Sequence, residues 1–166
     1  MALEAEPHPL PSRRKKREIL GDRANVVVEQ TYYEVDANGI GGPPIYLYTH
    51  WGGSALPDTL LQALKLQDRW DDEAYLARII FKTMGAGGEG TTGFGISASP
   101  PDNEYPYLRV DCKNQTVTVD YNPVRQYQDH PNLEIPFKEY IKLKSPTWEK
   151  LEKIAKAQKK STAVAS

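Results

Sequence analysis

Cysteine is nearly absent: Cys112 is the single one in 166 residues, which excludes an intrachain disulfide framework and any paired-cysteine metal site and fits a reducing compartment. Histidine is scarce too. His8, His50 and His130 form no HxxxH, HxH or HxE pairing, so no zinc set is legible and no metal is expected. No apolar run approaches the roughly 20 residues of a membrane span. The opening "MALEAEPHPLPSRRKK" has acids and prolines where a signal peptide needs an uninterrupted apolar stretch, so the expectation is a soluble, cytoplasmic protein without a membrane partner. The net charge of −1 provides no global field to hold nucleic acid. No lysine follows the glycines of "GGS" as a Walker A loop requires, no dinucleotide fingerprint is complete, and G-x-S-x-G is missing. No cofactor and no catalytic residue is therefore expected.

What is present suits one domain. Residues 1–23 form a polar arm with the basic run Arg13, Arg14, Lys15, Lys16, Arg17, too poor in apolar residues to order itself and open to nucleic acid as a minor reading. Residues 24–144 hold the body and 145–166 a C-terminal helix and tail. "NVVVEQTYYEV" is β-branched and aromatic, and the Asn-Gly and Gly-Gly pairs after it signal a reversal, which predicts strands over 26–35 and 45–50. Further strands are expected over 92–98, 105–113 and 116–121, the last two joined at Asn114-Gln115. Amphipathic helices are expected over 57–66 and 72–84, with Leu60, Leu64, Ile79 and Ile80 buried. The last helix starts with Ser145 as cap, Pro146 in its first position and Glu149 completing a capping box. The fold class is α+β: an antiparallel sheet of about five strands, two central helices packed on one face and a C-terminal helix. Alternation puts Leu108, Val110, Cys112, Val117 and Val119 on one sheet face, with Arg109 and Asp111 on the other.

One stretch asks for chemistry. In "YLYTHWGGSALP" a strand ends at His50 and Trp51, turns on Gly52 and Gly53 and enters a helix, a geometry that turns backbone N–H groups toward an anion or merely turns a corner. "DRWDDEAYLAR" offers Arg69, Asp71, Asp72 and Arg78, either as helix caps and ion pairs or as a guanidinium clamp on a phosphate or carboxylate beside a stacking tryptophan. Gly93 and Gly95 leave one side of a strand bare, under a loop, 85–91, that could act as a lid. If these segments converge, they make a site for a planar anion such as a nucleotide.

"YLYTHWGG", "RWDDEAYLARIIF", "TGFGIS" and "DNEYPYLRVDCKNQTV" together resemble a family of small proteins of actinobacteria and their phages, over Tyr46–Val119. The resemblance implies an accessory protein and no particular activity. The functional expectation is thus a non-enzymatic accessory protein of phage or bacterial origin that binds a small anionic ligand or a protein partner. One alternative is a small hydrolase or transferase with His50 as general base, oriented by Asp71 or Asp111. The other is a nucleic-acid-associated protein using the basic arm and Lys150, Lys153, Lys156, Lys159 and Lys160.

Overall fold

A computed structural model of the protein describes residues 21–30, 42–87, 93–124 and 129–165. It is a mixed α+β fold. The strands are β1 (Ala24–Gln30), β2 (Gly42–Thr49), β3 (Phe94–Ser97), β4 (Tyr107–Asp111), β5 (Thr116–Asp120) and β6 (Leu133–Pro136), and the helices are α1 (Leu56–Lys65), α2 (Glu73–Met84), α3 (Phe137–Tyr140) and α4 (Trp148–Val164). The strands form one sheet in the order β3-β2-β1-β4-β5-β6.

The sheet is mostly antiparallel and corrects the expectation in two respects. It has six strands, not five, because "LEIP" adds β6 on the far side of β5 with Leu133 and Ile135 turned inward. Its central pair, β1 and β4, runs parallel, with Val26 opposite Leu108 and Val28 opposite Val110. The chain builds β1, β2 and β3 outward in one direction, then crosses back to the vacant side of β1 and enters β4 beside the start of β1, so the two run parallel. Residues 102–104 secure that crossing: Arg23 N donates to Glu104 Oε2, Glu104 N to Arg23 O, and Asn25 Nδ2 to Asp102 O and Asn103 Oδ1.

Alternation is borne out strand by strand. Val26, Val28, Leu47, Leu108, Val110, Cys112, Val117 and Val119 share one buried cluster with Leu60, Leu64, Ile79 and Ile80. Residues one step out of phase, Val27, Tyr46 and Tyr107, form a second, smaller cluster. There Arg109 donates to Glu29 and Asp120 at 2.8 and 2.7 Å and lies 5.5 Å from the Tyr107 ring centre. Pro43 and Pro44 fit at the start of β2, where no strand needs their missing N–H. The Cys112 thiol is wholly buried, and burial pushes its pKa up to about 12, so it stays protonated and packs as a small apolar group.

Local chemistry sets the helix ends. Pro57 occupies the first turn of α1, and the Asp72 carboxylate caps α2 by accepting from Tyr75 N at 3.1 Å. The start of α4 differs from expectation. Ser145 has a φ of +43° and lies outside the helix; Thr147 is the cap, accepting from Lys150 N at 3.2 Å. The Lys150 ammonium explains the shift, since it bonds the carbonyls of Lys144 and Ser145 and holds the chain in a turn ahead of Pro146. Glu149 then pairs with Lys153 instead of closing a capping box. The turn between β4 and β5 takes four residues, 112–115, with Asp111 accepting from Asn114 N and Gln115 at a φ of +52°. The basic run 13–17, residues 31–35 of the first predicted strand and most of the proposed lid lie outside the described residues; of the lid, Gly85–Gly87 form one 3-10 turn.

Candidate functional site

The corner at 49–54 has the donor geometry expected of an anion nest, and the anion it holds is the protein's own. Ser54 N donates to Asp22 Oδ1 at 2.8 Å and Ser54 Oγ to Asp22 Oδ2 at 2.8 Å. Gly53 N reaches the Asp22 carbonyl at 2.8 Å, Gly52 N reaches Thr49 Oγ1 at 3.0 Å, and Asp22 N returns a bond to His50 O. Tyr105 adds its hydroxyl to Asp22 Oδ1 at 2.7 Å. Each N–H that sequence assigns to a ligand is thus spent inside the fold. Asp22, placed with the arm by sequence, is a structural residue of the body.

Gly53 is required sterically. A Cβ there would lie 2.7 Å from Asp22 O and 2.8 Å from the Tyr105 ring. The Gly53 carbonyl accepts from Trp148 Nε1 at 2.8 Å, and the Trp148 ring stacks on Tyr105 at 5.3 Å and 12°. The corner therefore fastens together the start of β1, the crossing loop and the start of α4. Sequence reasoning missed Asp22, Tyr105 and Trp148 as its partners: Asp22 lies 32 positions from Ser54, Tyr105 83 from Asp22 and Trp148 95 from Gly53.

The ten residues singled out by sequence fall into three groups. His50, Trp51, Gly93 and Gly95 come together: His50 N donates to Gly93 O at 2.8 Å, the His50 and Trp51 rings meet edge to face at 4.1 Å, and a Cβ on Gly93 would come within 3.2 Å of Trp51 Cδ1. The bare backbone at Gly93 is thus covered by the Trp51 ring. His50 Nδ1 shares a hydrogen bond with the Tyr48 hydroxyl at 2.8 Å, its direction set by the His50 tautomer, and burial foremost raises the Tyr48 pKa, keeping that hydroxyl protonated. Gly52 and Gly53 belong to the corner just described.

Arg69, Asp71, Asp72 and Arg78 gather elsewhere. They lie at the far end of α1, which spans about 15 Å. Arg69 and Arg78 sit 4.7 and 5.7 Å from the ring centre of the half-exposed Tyr75, and Asp72 is spent as the cap. Tyr48, to which His50 is bonded, projects from the sheet face of Tyr46, opposite to Leu47, whereas Leu76 and Ile80 of α2 join the cluster of Leu47. His50 and Arg78 thus act on different sides of the sheet, and the single convergent nucleotide site is corrected. The same geometry removes the orienting carboxylates: Tyr48 is the partner of His50, Asp71 lies beyond α1, and Asp111 bonds Asn114 at the other end of the strands, roughly 20 Å along the sheet.

The open feature of this region is β3. Among the described residues it pairs only with β2, and it has no charge, proline or bulge along Phe94–Ser97. Ile96 and Trp51 are 63% and 68% exposed on either side of it. A groove of about 320 Å³ runs beside Ile96 between Ala98, Ile45, Pro43 and Pro44. Among the described residues no helix is long and apolar enough to cross a membrane, and no group of three or more His, Cys, Asp or Glu could hold a metal ion.

The fold and this edge define a small α+β protein with a mixed six-stranded sheet. No family model, curated protein or solved structure matches the chain.

Proposed function

We propose that the protein is a non-enzymatic accessory module that captures an extended, apolar segment of a protein partner on the free edge of β3. The observation that carries this reading is that edge, which among the described residues pairs with no second strand. Sheet edges of soluble proteins are ordinarily protected by charges, prolines or bulges, because unpaired N–H and C=O groups recruit other strands. Phe94–Ser97 has none of these, and β3 presents the exposed Ile96 side chain with the exposed Trp51 ring beside Gly93 at its start. A strand added there forms main-chain hydrogen bonds for affinity and seats alternate side chains in the groove beside Ile96 for selectivity. In this reading α1 and α2 cover the aliphatic sheet face, and the corner at Asp22 holds β2 and β3 rigid for docking.

The test is selection of ten-residue peptides from a displayed random library on the full chain, followed by hydrogen exchange of the complex. The expected peptides alternate apolar and polar residues, protect the amides of Phe94–Ser97, and lose at least tenfold in affinity on Ile96→Asp. Protection confined to another element, or selection unaffected by Ile96→Asp, rejects the reading.

A further inference from the structure

We propose a second surface, distinct from the β3 edge: the lysine-rimmed groove at the start of α4 receives the α1–α2 turn of a second copy of this chain, with Leu66 as the anchor. The groove, about 330 Å³, is floored by Leu143, Pro146, Leu151 and Ile154 and rimmed by Lys144, Lys150 and Lys153. Lys150 is held there by the carbonyls of Lys144 and Ser145 at 3.1 and 2.9 Å, which fix its position without neutralising its charge. The floor is aliphatic and offers no ring on which a base could stack, so it suits an apolar side chain better than nucleic acid.

The turn is the inverse of the groove. Leu66 is 64% exposed. Gln67 and Arg69, at φ of +51° and +55°, hold the left-handed conformation that side-chain-bearing residues disfavour. Bonds from Gln67 N and Trp70 Nε1 to Leu64 O keep the turn in that shape. Among the described residues Asp68 and Asp71 are exposed and have no ion pair, while Arg69 is drawn onto the Tyr75 ring. A strained turn that presents an aliphatic side chain followed by the exposed carboxylates of Asp68 and Asp71 complements an aliphatic groove rimmed by ammonium groups.

The charge distribution favours a second copy as the occupant. Residues 138–160 hold eight lysines against three glutamates, whereas 18–137 hold eight Lys and Arg against seventeen Asp and Glu. A chain of net charge −1 thus carries +3 on residues 1–17, −9 on 18–137 and +5 on 138–160, so the lysine-rich segment of one copy is attracted to the acidic body of another.

Sedimentation velocity of the full chain at about 50 and 500 mM salt tests this, since surface charge pairs are screened at the higher value. The wild type is expected to self-associate at low salt and to weaken at least tenfold at high salt. Leu66→Ser with Asp68→Lys removes the anchor, and Lys144→Glu with Lys153→Glu reverses the rim. Each double variant alone is expected to be monomeric, and their equimolar mixture to form a dimer, because each supplies the half the other lacks. A mixture that stays monomeric overturns the proposal, as does either variant associating like the wild type. As a control on folding that needs no variant, concentration-dependent NMR shifts in the wild type must appear at both 66–71 and 143–154. Their absence, or displacement of the association by a single-stranded oligonucleotide, overturns it as well.

Discussion

The corner at 49–54 and the edge at 93–97 are neighbours, joined by the bond from His50 N to Gly93 O, yet they treat backbone polarity in opposite ways. At the corner three consecutive N–H groups, those of Gly52, Gly53 and Ser54, find acceptors within the fold, two of them on Asp22. At the edge, β3 uses one side of its backbone on β2 and leaves the other unpaired among the described residues. In sequence the glycine turn and the bare strand at Gly93 and Gly95 look like two walls of one ligand site. The hydrogen bonds separate them: a donor spent on the protein's own carboxylate is unavailable for recognition, whereas the strand edge, unpaired among the described residues, is available.

Breaking the corner should have the largest effect. Gly53→Ala forces a methyl against Asp22 O and the Tyr105 ring, and a loss of about 3 kcal/mol is expected in urea unfolding, at the upper end of overpacking costs. Asp22→Ala removes an acceptor shared by Ser54 N, Ser54 Oγ and Tyr105 Oη, and should cost about 2 kcal/mol, as hydrogen bonds to a charged group do. Trp148→Phe keeps the stacking on Tyr105 but drops the bond to Gly53 O, for about 1 kcal/mol in the same assay. Ile96→Asp and Trp51→Ser, at exposed positions, should change stability by less than about 0.5 kcal/mol while abolishing peptide capture. Equal stability losses at corner and edge would erase the distinction between them.

A smaller effect concerns α4. The Glu152 pKa is lowered from 4.5, first by its hydrogen bond to Lys156 and then by that to His130. A carboxylate with a depressed folded-state pKa stabilises the fold above its unfolded value and loses that contribution as pH falls through the folded value. The contact between α4 and His130 should therefore loosen only below about pH 4.5, visible as NMR shift changes at 129–132 and 151–156, and Glu152→Gln should remove that acid transition.

Much of the fold was legible because it follows from local periodicity. The alternation of Val26, Val28, Leu47, Leu108, Val110, Val117 and Val119 assigned the buried face correctly, and the helical spacing of Leu60, Leu64, Ile79 and Ile80 assigned theirs. β6 was not legible, because four residues ending in Pro136 are too short for a period to declare itself. The α4 cap was misplaced by two residues, because the choice between Ser145 and Thr147 is made by Lys150, bonding backward to carbonyls that no pattern announces.

By itself, then, the sequence determined which side chains are buried, where α1 and α2 run, and that Cys112 packs as a core residue, since each depends on the order of residues within one element. Tertiary structure alone decided the parallel pairing of β1 with β4, the filling of the glycine corner by Asp22, and the separation of His50 from Arg78 by the thickness of the sheet and the length of α1. The reason is physical: a strand's direction and a donor's partner are set by whichever distant segment arrives with a vacant edge or a carboxylate, and the contacts that bring Asp22 and Trp148 to the corner close chain loops of 32 and 95 residues.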